Sequence, residues 1–214
     1  MIDSHVHVFK RDPQFPFAGG ANPPAEDAAV ETLIELMQAN GVARTVIIQV
    51  MHYKWDNRYL ASVLKRYPTL FHGVCRVNPE DPAAPDHLSQ LTTEGFHGVR
   101  ISPAATAAGD WIRGPLMPPL WRRCNELKVP MTVLAPVTRM PDLVPLIEAN
   151  PELTVVIDHM ADCPLKRLDL LKLLLDLARY PRVFVKISDI WRLSKQPYPY
   201  ADAHEQIRRL CDSY

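Results

Sequence analysis

Residues 2–9 read Ile-Asp-Ser-His-Val-His-Val-Phe, and this alternation of polar and apolar side chains predicts a β-strand at the start of the chain. Alternate side chains on a strand share a face, so Asp3, His5 and His7 are expected to point the same way. No glycine-rich phosphate loop follows this strand, as one would in a dinucleotide-binding sheet. Polar side chains on the face of a central strand and the absence of such a loop favour a closed barrel over an open doubly wound sheet.

Seven short segments rich in β-branched residues recur along the chain, and each precedes a longer segment with helical periodicity. Strands that alternate with helices predict parallel pairing through right-handed crossovers. We therefore predict an α/β fold, a TIM (β/α)8-type barrel in which seven strands are identifiable and the eighth is missing from the chain. The predicted strands are Ile2–Phe9, Thr45–Val50, Leu70–Arg76, His97–Ser102, Pro130–Ala135, Thr154–His159 and Arg182–Ser188. The predicted helices are Ala25–Asn40, Asn57–Tyr67, Asp86–Thr93, Pro118–Leu127, Met140–Ala149, Leu165–Tyr180 and Ala201–Cys211.

The spacing of the strands is the reason to expect a missing eighth strand. Strand starts recur about every 30 residues, so the next is due near residue 212, and barrels of this type typically have about 250 residues. We therefore expect one incomplete barrel domain over residues 1–214. An unclosed barrel exposes two strand edges, and exposed edges favour pairing with another chain, which makes a homo-oligomer a candidate assembly.

Composition excludes several classes of partner. Lysine plus arginine equals aspartate plus glutamate, 24 each, so there is no electrostatic reason to expect nucleic acid or an anionic membrane as partner. No apolar run approaches the roughly 20 residues that are needed to span a bilayer, and the richest stretch, Leu170–Leu177, is interrupted by charged residues. The first strand leaves no room for a signal peptide. The cysteines are far apart and without a CxxC pair, which is typical of reduced thiols and predicts a cytoplasmic location. They are Cys75, Cys124, Cys163 and Cys211.

Histidines are the clearest candidates for chemistry. His5 and His7 lie one pleat apart, so both imidazoles can bind one divalent ion, at nitrogen–metal distances of about 2.0–2.1 Å for zinc. His159 ends the predicted sixth strand, at the barrel edge where TIM-barrel enzymes carry catalytic residues. Its imidazole suits acid–base chemistry because the pKa of histidine lies near neutrality. Asp158 directly precedes it, so a regular strand would send that carboxylate to the opposite face.

Other polar residues are expected in the barrel interior or around the pocket. Arg100 on the fourth strand is predicted either to bind a substrate carboxylate or carbonyl, or to form a structural ion pair with an interior acid. Lys186 on the seventh strand has the same two interpretations. Gln49, His52 and Tyr53, near the end of the second strand, are candidates for the pocket wall. All five are therefore candidate substrate-binding residues.

Several motifs together resemble the amidohydrolase superfamily, in the amidohydrolase-related (amidohydrolase-2) branch. The opening IDSHVHVF resembles the first-strand motif of that superfamily, and four later segments narrow the resemblance to the lactonase-like members over nearly the whole chain. These segments are DNRYL (56–60), GFHGVRIS (95–102), VIDHMADCP (156–164) and VFVKISDIWRLS (183–194). The branch includes lactonases that act on sugar lactones and on 2-pyrone-4,6-dicarboxylate, and decarboxylases of the aminocarboxymuconate-semialdehyde type.

The resemblance implies a hydrolase that opens a lactone or similar cyclic ester of a small carboxylate or sugar acid. His159 matches the family histidine that contacts the substrate or acts in acid–base chemistry, and His5 and His7 match the first-strand metal ligands and catalytic histidines. Metal-dependent relatives usually add a fifth-strand histidine and an eighth-strand aspartate. The fifth strand here has no histidine, and the eighth strand is not present in the sequence. Two cofactor alternatives therefore stay open, namely a divalent metal, with zinc favoured, or metal-independent catalysis. Asp189 also stands where relatives often have glycine.

Two other functions remain as alternatives. The first is a metal-dependent decarboxylase on the same fold, although the absent fifth-strand histidine argues against it. The second is an inactive truncated barrel that binds a ligand or another subunit. The lactonase interpretation predicts a small-molecule substrate as the main partner.

Overall fold

The computed structural model describes residues 1–102 and 112–214, and its contacts group into two compact units, Met1–Arg100 and Ile101–Tyr214. Each of the seven predicted strands has a counterpart in the described residues. The strands are β1 (Ile2–Val6), β2 (Arg44–Ile48), β3 (Phe71–Arg76), β4 (Phe96–Ile101), β5 (Met131–Val133), β6 (Val155–Ile157) and β7 (Val183–Val185). The α-helices are α1 (Val30–Ala39), α2 (Arg58–Arg66), α3 (Ala84–Thr93), α4 (Met117–Leu127), α5 (Met140–Ala149), α6 (Leu168–Leu175), α7 (Ile190–Leu193) and α8 (His204–Ser213).

The first unit is built on parallel pairing of β1 with β2, β2 with β3 and β3 with β4. Its helices pack apolar residues against the strands, and Leu60, Val63 and Leu88 are fully buried. Gly73 on β3 allows the closest approach, because a Cβ atom there would lie 2.4 Å from Cδ1 of Leu64 on α2. The strand β3 and the helix α2 are therefore tightly packed.

The second unit contains the parallel strands β5, β6 and β7, paired in that order. Met131, Val155 and Val183 are neighbours across the three strands and all are buried. The helices cover this sheet with large apolar side chains, of which Trp121 on α4 is fully buried. The prediction that residues 1–214 form a single domain stays a prediction.

Six of the seven strands are shorter than the sequence pattern predicts, and β4 has the predicted length. β6 ends at Ile157 and β7 at Val185, so His159 and Ser188 lie in the segments that follow these strands. The predicted sixth helix continues from α6 into a 3-10 turn, and the short helix α7 was not predicted. No helix in the described ranges combines the length and the apolar character that crossing a bilayer requires.

Candidate active site

His5 and His7 lie side by side at the carboxyl end of β1, as the alternating pattern predicts. Their ring centroids are 5.1 Å apart with nearly perpendicular planes. The Nδ1 atom of His7 lies 2.8 Å from the backbone oxygen of Ile48, at the end of β2. Because a carbonyl oxygen only accepts, Nδ1 of His7 carries the hydrogen and Nε2 keeps its lone pair. In proteins, metal-bound histidines are usually oriented by such a bond from their other ring nitrogen, so the orientation of His7 fits a ligand that binds through Nε2.

Arg100 lies beside a second arginine that sequence reasoning missed. Arg76 on β3 is its register partner, and both side chains are buried. Burial, and then the charge of Arg100, lowers the pKa of Arg76 to about 10. The guanidinium of Arg76 also lies 5.1 Å from the ring centroid of Trp55. Two adjacent buried guanidinium groups favour the binding of an anionic group.

Arg76 has a signal in the sequence that could have found it. It ends the third strand as Arg100 nearly ends the fourth, so parallel pairing in register brings the two together. Asn57 holds the end of β3 by two hydrogen bonds of 2.9 Å, from Nδ2 to the oxygen of Arg76 and from the nitrogen of Arg76 to Oδ1. The buried side-chain amide of Asn57 therefore fixes the backbone at Arg76.

Gln49, His52 and Tyr53 lie in the segment after β2, where Gln49 bonds within that segment and Tyr53 bonds to the loop after β1. The buried Gln49 donates through Nε2 to the oxygen of Asp56. The hydroxyl of Tyr53 donates to the backbone oxygen of Lys10 at 2.9 Å and accepts from the backbone nitrogen of Lys10 at 3.1 Å. Burial raises the pKa of Tyr53 to about 12. Their contact with substrate stays a prediction, and their observed bonds hold the backbone around them.

His52, in the segment after β2, packs in an aromatic cluster with residues of the loop after β1. Its ring centroid lies 5.6 Å from that of Phe9 and 6.2 Å from that of Phe17. Phe17 also packs on Tyr53, with ring centroids 4.9 Å apart. Burial lowers the pKa of His52, which favours its neutral form. The loop after β1 is therefore packed on the segment after β2.

In the second unit, His159 lies in a turn with unusual backbone geometry. His159, Met160, Ala161 and Asp162 all have φ between 48° and 53°, in the left-handed region. Residues with a Cβ atom adopt this region at a cost, so such a run requires support from its surroundings. A bond of 3.1 Å from the nitrogen of Met160 to the oxygen of Lys186 ties the turn to the end of β7.

The ring of His159 is largely buried and has a partner near each nitrogen. Its Nδ1 atom lies 2.7 Å from Oγ of Ser188, and its Nε2 atom lies 3.8 Å from Oδ2 of Asp189. Both partners follow β7. The sequence pattern predicts neither of them as a site residue, although Asp189 stands where related sequences often have glycine.

Asp158 lies on the same side as His159, and the expectation that it points away is wrong. A carboxylate oxygen of Asp158 and a ring nitrogen of His159 lie within 4.8 Å of each other. Strand alternation does not apply, because β6 ends at Ile157 and the left-handed turn redirects the side chains that follow. Oδ1 of Asp158 lies 3.2 Å from Nζ of Lys186. The structural interpretation of Lys186 therefore has direct geometric support, while its contact with substrate stays a prediction.

A comparison with protein families assigns the chain. The profile of the family described as Amidohydrolase matches residues 2–214. The chain belongs to the amidohydrolase family.

Relatives of this amidohydrolase include enzymes named for lactones. It is 28% identical over 222 residues to L-fucono-1,5-lactonase of Burkholderia ambifaria, covering 99% of this chain and 75% of the relative. It is 26% identical over 215 residues to 4-sulfomuconolactone hydrolase of Hydrogenophaga intermedia, covering 98% and 69%. A solved structure from Pseudomonas putida, described provisionally as a 2-pyrone-4,6-dicarboxylic acid hydrolase, is 29% identical with a TM-score of 0.83, covering 100% and 78%. The predicted resemblance and the TIM-barrel-type α/β fold class are confirmed.

The candidate residues of the amidohydrolase lie in both units. His5, His7, Arg76 and Arg100 belong to the first unit, and His159 belongs to the second. The prediction that the three histidines serve one pocket stays a prediction. So does the role of His5 and His7 as metal ligands, although the orientation of His7 fits that role.

Proposed function

We propose that this amidohydrolase hydrolyses a lactone of a small carboxylate or sugar acid. The observation that carries the proposal is the buried imidazole of His159, between the hydroxyl of Ser188 and the carboxylate of Asp189 at the carboxyl end of the strands. A histidine held in this way can exchange or share a proton with a reacting oxygen. The named lactonases among the relatives support the choice of a cyclic ester as substrate.

In the proposed reaction, water adds to the lactone carbonyl and the ring carbon–oxygen bond breaks. The ring oxygen takes up a proton, so the product is an open hydroxy acid. His159 donates a hydrogen bond to the carbonyl oxygen, which gains negative charge as water adds. Arg76 and Arg100 attract the anionic group of the substrate, because paired guanidinium groups match the geometry of a carboxylate.

A divalent metal is the proposed cofactor, with His5 and His7 as the residues that would hold it. The donor set fits, because His7 has its Nδ1 hydrogen committed to Ile48 and presents Nε2. Imidazole nitrogens suit zinc, and a bound zinc ion supplies an acidified water molecule near neutral pH. A metal-independent route with a carboxylate base remains the alternative.

The test of the function is hydrolysis of a panel of lactones, including a sugar lactone, a sulfonated muconolactone and a pyrone dicarboxylate. Acid release in a pH-stat would measure ring opening. His159→Ala is expected to lower kcat by about 10²–10³-fold, because the loss of one hydrogen-bond donor to a developing oxyanion costs about that much. The control is His204→Ala, which changes an exposed histidine bonded to the oxygen of Pro199. Normal turnover by His159→Ala would refute its assigned role.

The metal is tested separately by elemental analysis of the purified protein. The proposal expects one divalent ion per chain, reduced in His5→Ala and in His7→Ala. His87→Ala, which changes an exposed histidine near Asp81, is the control and should retain the metal. An unchanged metal content in both strand variants would exclude His5 and His7 as ligands. A cytoplasmic location and a homo-oligomeric assembly remain proposals, and the wide separation of the cysteines along the chain supports the first.

A further inference from the structure

Two consecutive residues after β7 approach the two nitrogens of the His159 ring. The hydroxyl oxygen of Ser188 is within hydrogen-bond distance of Nδ1, at 2.7 Å, and the Oδ2 atom of Asp189 faces Nε2 at 3.8 Å. A carboxylate repels a nitrogen lone pair and attracts an N–H group. Asp189 therefore favours one of the two neutral forms of the imidazole over the other.

We propose that Asp189 is a positioning residue for His159, holding the imidazole in the tautomer that carries its proton on Nε2. In this tautomer Nδ1 is an acceptor, and the hydroxyl of Ser188 donates to it. The Nε2 hydrogen is then the one available to a substrate oxygen. This inference deepens the proposed lactone hydrolysis, in which His159 donates to the carbonyl, and in that respect rests on it.

The backbone of Asp189 is consistent with a residue kept for its side chain. Asp189 has φ 55° and ψ 26°, a left-handed conformation, at the start of α7. Glycine adopts this conformation without a steric penalty, whereas a residue with a Cβ atom does not. Aspartate tolerates this conformation better than most residues, but at a cost that glycine would avoid, which is consistent with a role for the carboxylate.

Arg192 keeps the carboxylate of Asp189 in place. Its Nη1 atom lies 3.1 Å from the same Oδ2 atom that faces His159, and 3.8 Å from Oδ1 of Asp162. The carboxylate is therefore held between a permanent cation and the imidazole. At 3.8 Å the carboxylate is too far from Nε2 to accept its hydrogen bond, so Asp189 biases the tautomer through its charge and leaves the Nε2 hydrogen for a substrate oxygen.

The direct test is the position of the proton on His159. Long-range proton–nitrogen NMR of the full chain labelled with ¹⁵N distinguishes the two tautomers, and His159→Gln assigns the signals. The proposal expects wild-type His159 to carry its proton on Nε2. In Asp189→Gly and Asp189→Asn, the Nδ1-protonated form is expected to rise, because the anion that opposes it is gone.

The control for this experiment removes a carboxylate elsewhere. Asp176→Asn changes an exposed residue paired with Lys172, and it should leave the His159 signals unchanged. A wild-type proton on Nδ1, or the same tautomer in wild type and both Asp189 variants, would overturn the proposal. Asp189→Gly removes backbone strain, so misfolding is not its expected effect, and Asp189→Asn provides a second variant that keeps the size of the side chain.

Kinetics then test whether Asp189 acts through His159. With a lactone that the wild type opens, Asp189→Asn is expected to lower kcat by about 10- to 100-fold with KM nearly unchanged, since orientation of the donor matters most in the transition state. In a His159→Ala background the same substitution should have no further effect. If the loss of kcat in the double variant equalled the product of the losses in the two single variants, the proposal would be contradicted. If the wild type opens no lactone, the proposed function fails, and the NMR experiment still decides the role of Asp189.

Discussion

Lys186 and Asp158 form a buried ion pair that joins the ends of β7 and β6. Nζ of Lys186 lies 3.2 Å from Oδ1 of Asp158, whose side chain has no exposed surface. The backbone of Lys186 reinforces the connection, because its nitrogen donates to the oxygen of Ile157 and its oxygen accepts from Met160. The pair therefore supports the left-handed turn that carries His159.

Lys186→Met is expected to destabilise the protein by about 3 kcal/mol, because removal of one charge of a buried pair leaves the other in a poorly solvated place. Chemical denaturation followed by circular dichroism would measure the change in the free energy of unfolding. Lys172→Met is the matched control, since its partner Asp176 and Lys172 itself are exposed. That change should cost less than about 1 kcal/mol. Equal effects of the two substitutions would show that burial of the pair is unimportant.

Gly73→Ala is expected to destabilise the first unit by about 1–3 kcal/mol, the usual cost of overpacking. The new Cβ atom would lie 2.4 Å from Cδ1 of Leu64 and 3.1 Å from Cδ1 of Phe96, and both side chains are buried. Gly19→Ala is the control, because its Cβ would meet no atom within 4 Å. Thermal unfolding would compare the variants, and a Gly73→Ala protein as stable as the control would contradict the packing described for β3.

The fold could be predicted from the sequence because its signals are local and repeated. Each of the seven strands was found from a β-branched run, and the helix Met140–Ala149 has the predicted bounds. The pairing of His5 with His7 also followed from strand alternation alone. These features depend on residue spacing within one element, which is what a sequence displays directly.

The surroundings of His159 could not be predicted in the same way. The alternation that placed Asp158 on the far side assumes a strand, and the chain leaves the strand at Ile157 for a left-handed turn. That conformation is uncommon for residues other than glycine, and contacts with the end of β7 support it. Ser188 and Asp189 approach His159 because the fold brings the segments after β6 and β7 together, and no local sequence pattern indicates that contact.

Gly41 and Lys128 both have left-handed backbone conformations at helix ends, so replacing the glycine should destabilise the protein and introducing a glycine should stabilise it. Gly41, after α1, has φ 65°, so Gly41→Ala is expected to lower the free energy of unfolding by about 1 kcal/mol. Lys128, which ends α4, has φ 55°, so Lys128→Gly is expected to raise it by about 0.5–1 kcal/mol. Denaturant titration would measure both changes. A shift of the same sign in both variants would show that side-chain contacts, and not backbone conformation, decide stability at these ends.

Tyr53 is expected to make the protein sensitive to alkali. Burial is the main cause that raises its folded-state pKa to about 12, from an ordinary value of 10.0. Above pH 10 the unfolded chain loses the phenolic proton while the folded chain retains it. The unfolded state therefore binds fewer protons, and the free energy of unfolding falls as the pH rises from about 10 to about 12.

Tyr53→Phe isolates this contribution, because phenylalanine has no proton to lose. A pKa difference of two units corresponds to about 3 kcal/mol, so the decline between pH 10 and pH 12 should be shallower in the variant by up to about that amount. The comparison uses slopes, since loss of the two bonds to Lys10 also lowers stability at every pH. Tyr198→Phe, which changes a tyrosine that is mostly exposed, should keep the wild-type slope. Parallel declines in wild type and Tyr53→Phe would mean that the hydroxyl of Tyr53 ionises as readily in the folded chain as in the unfolded one.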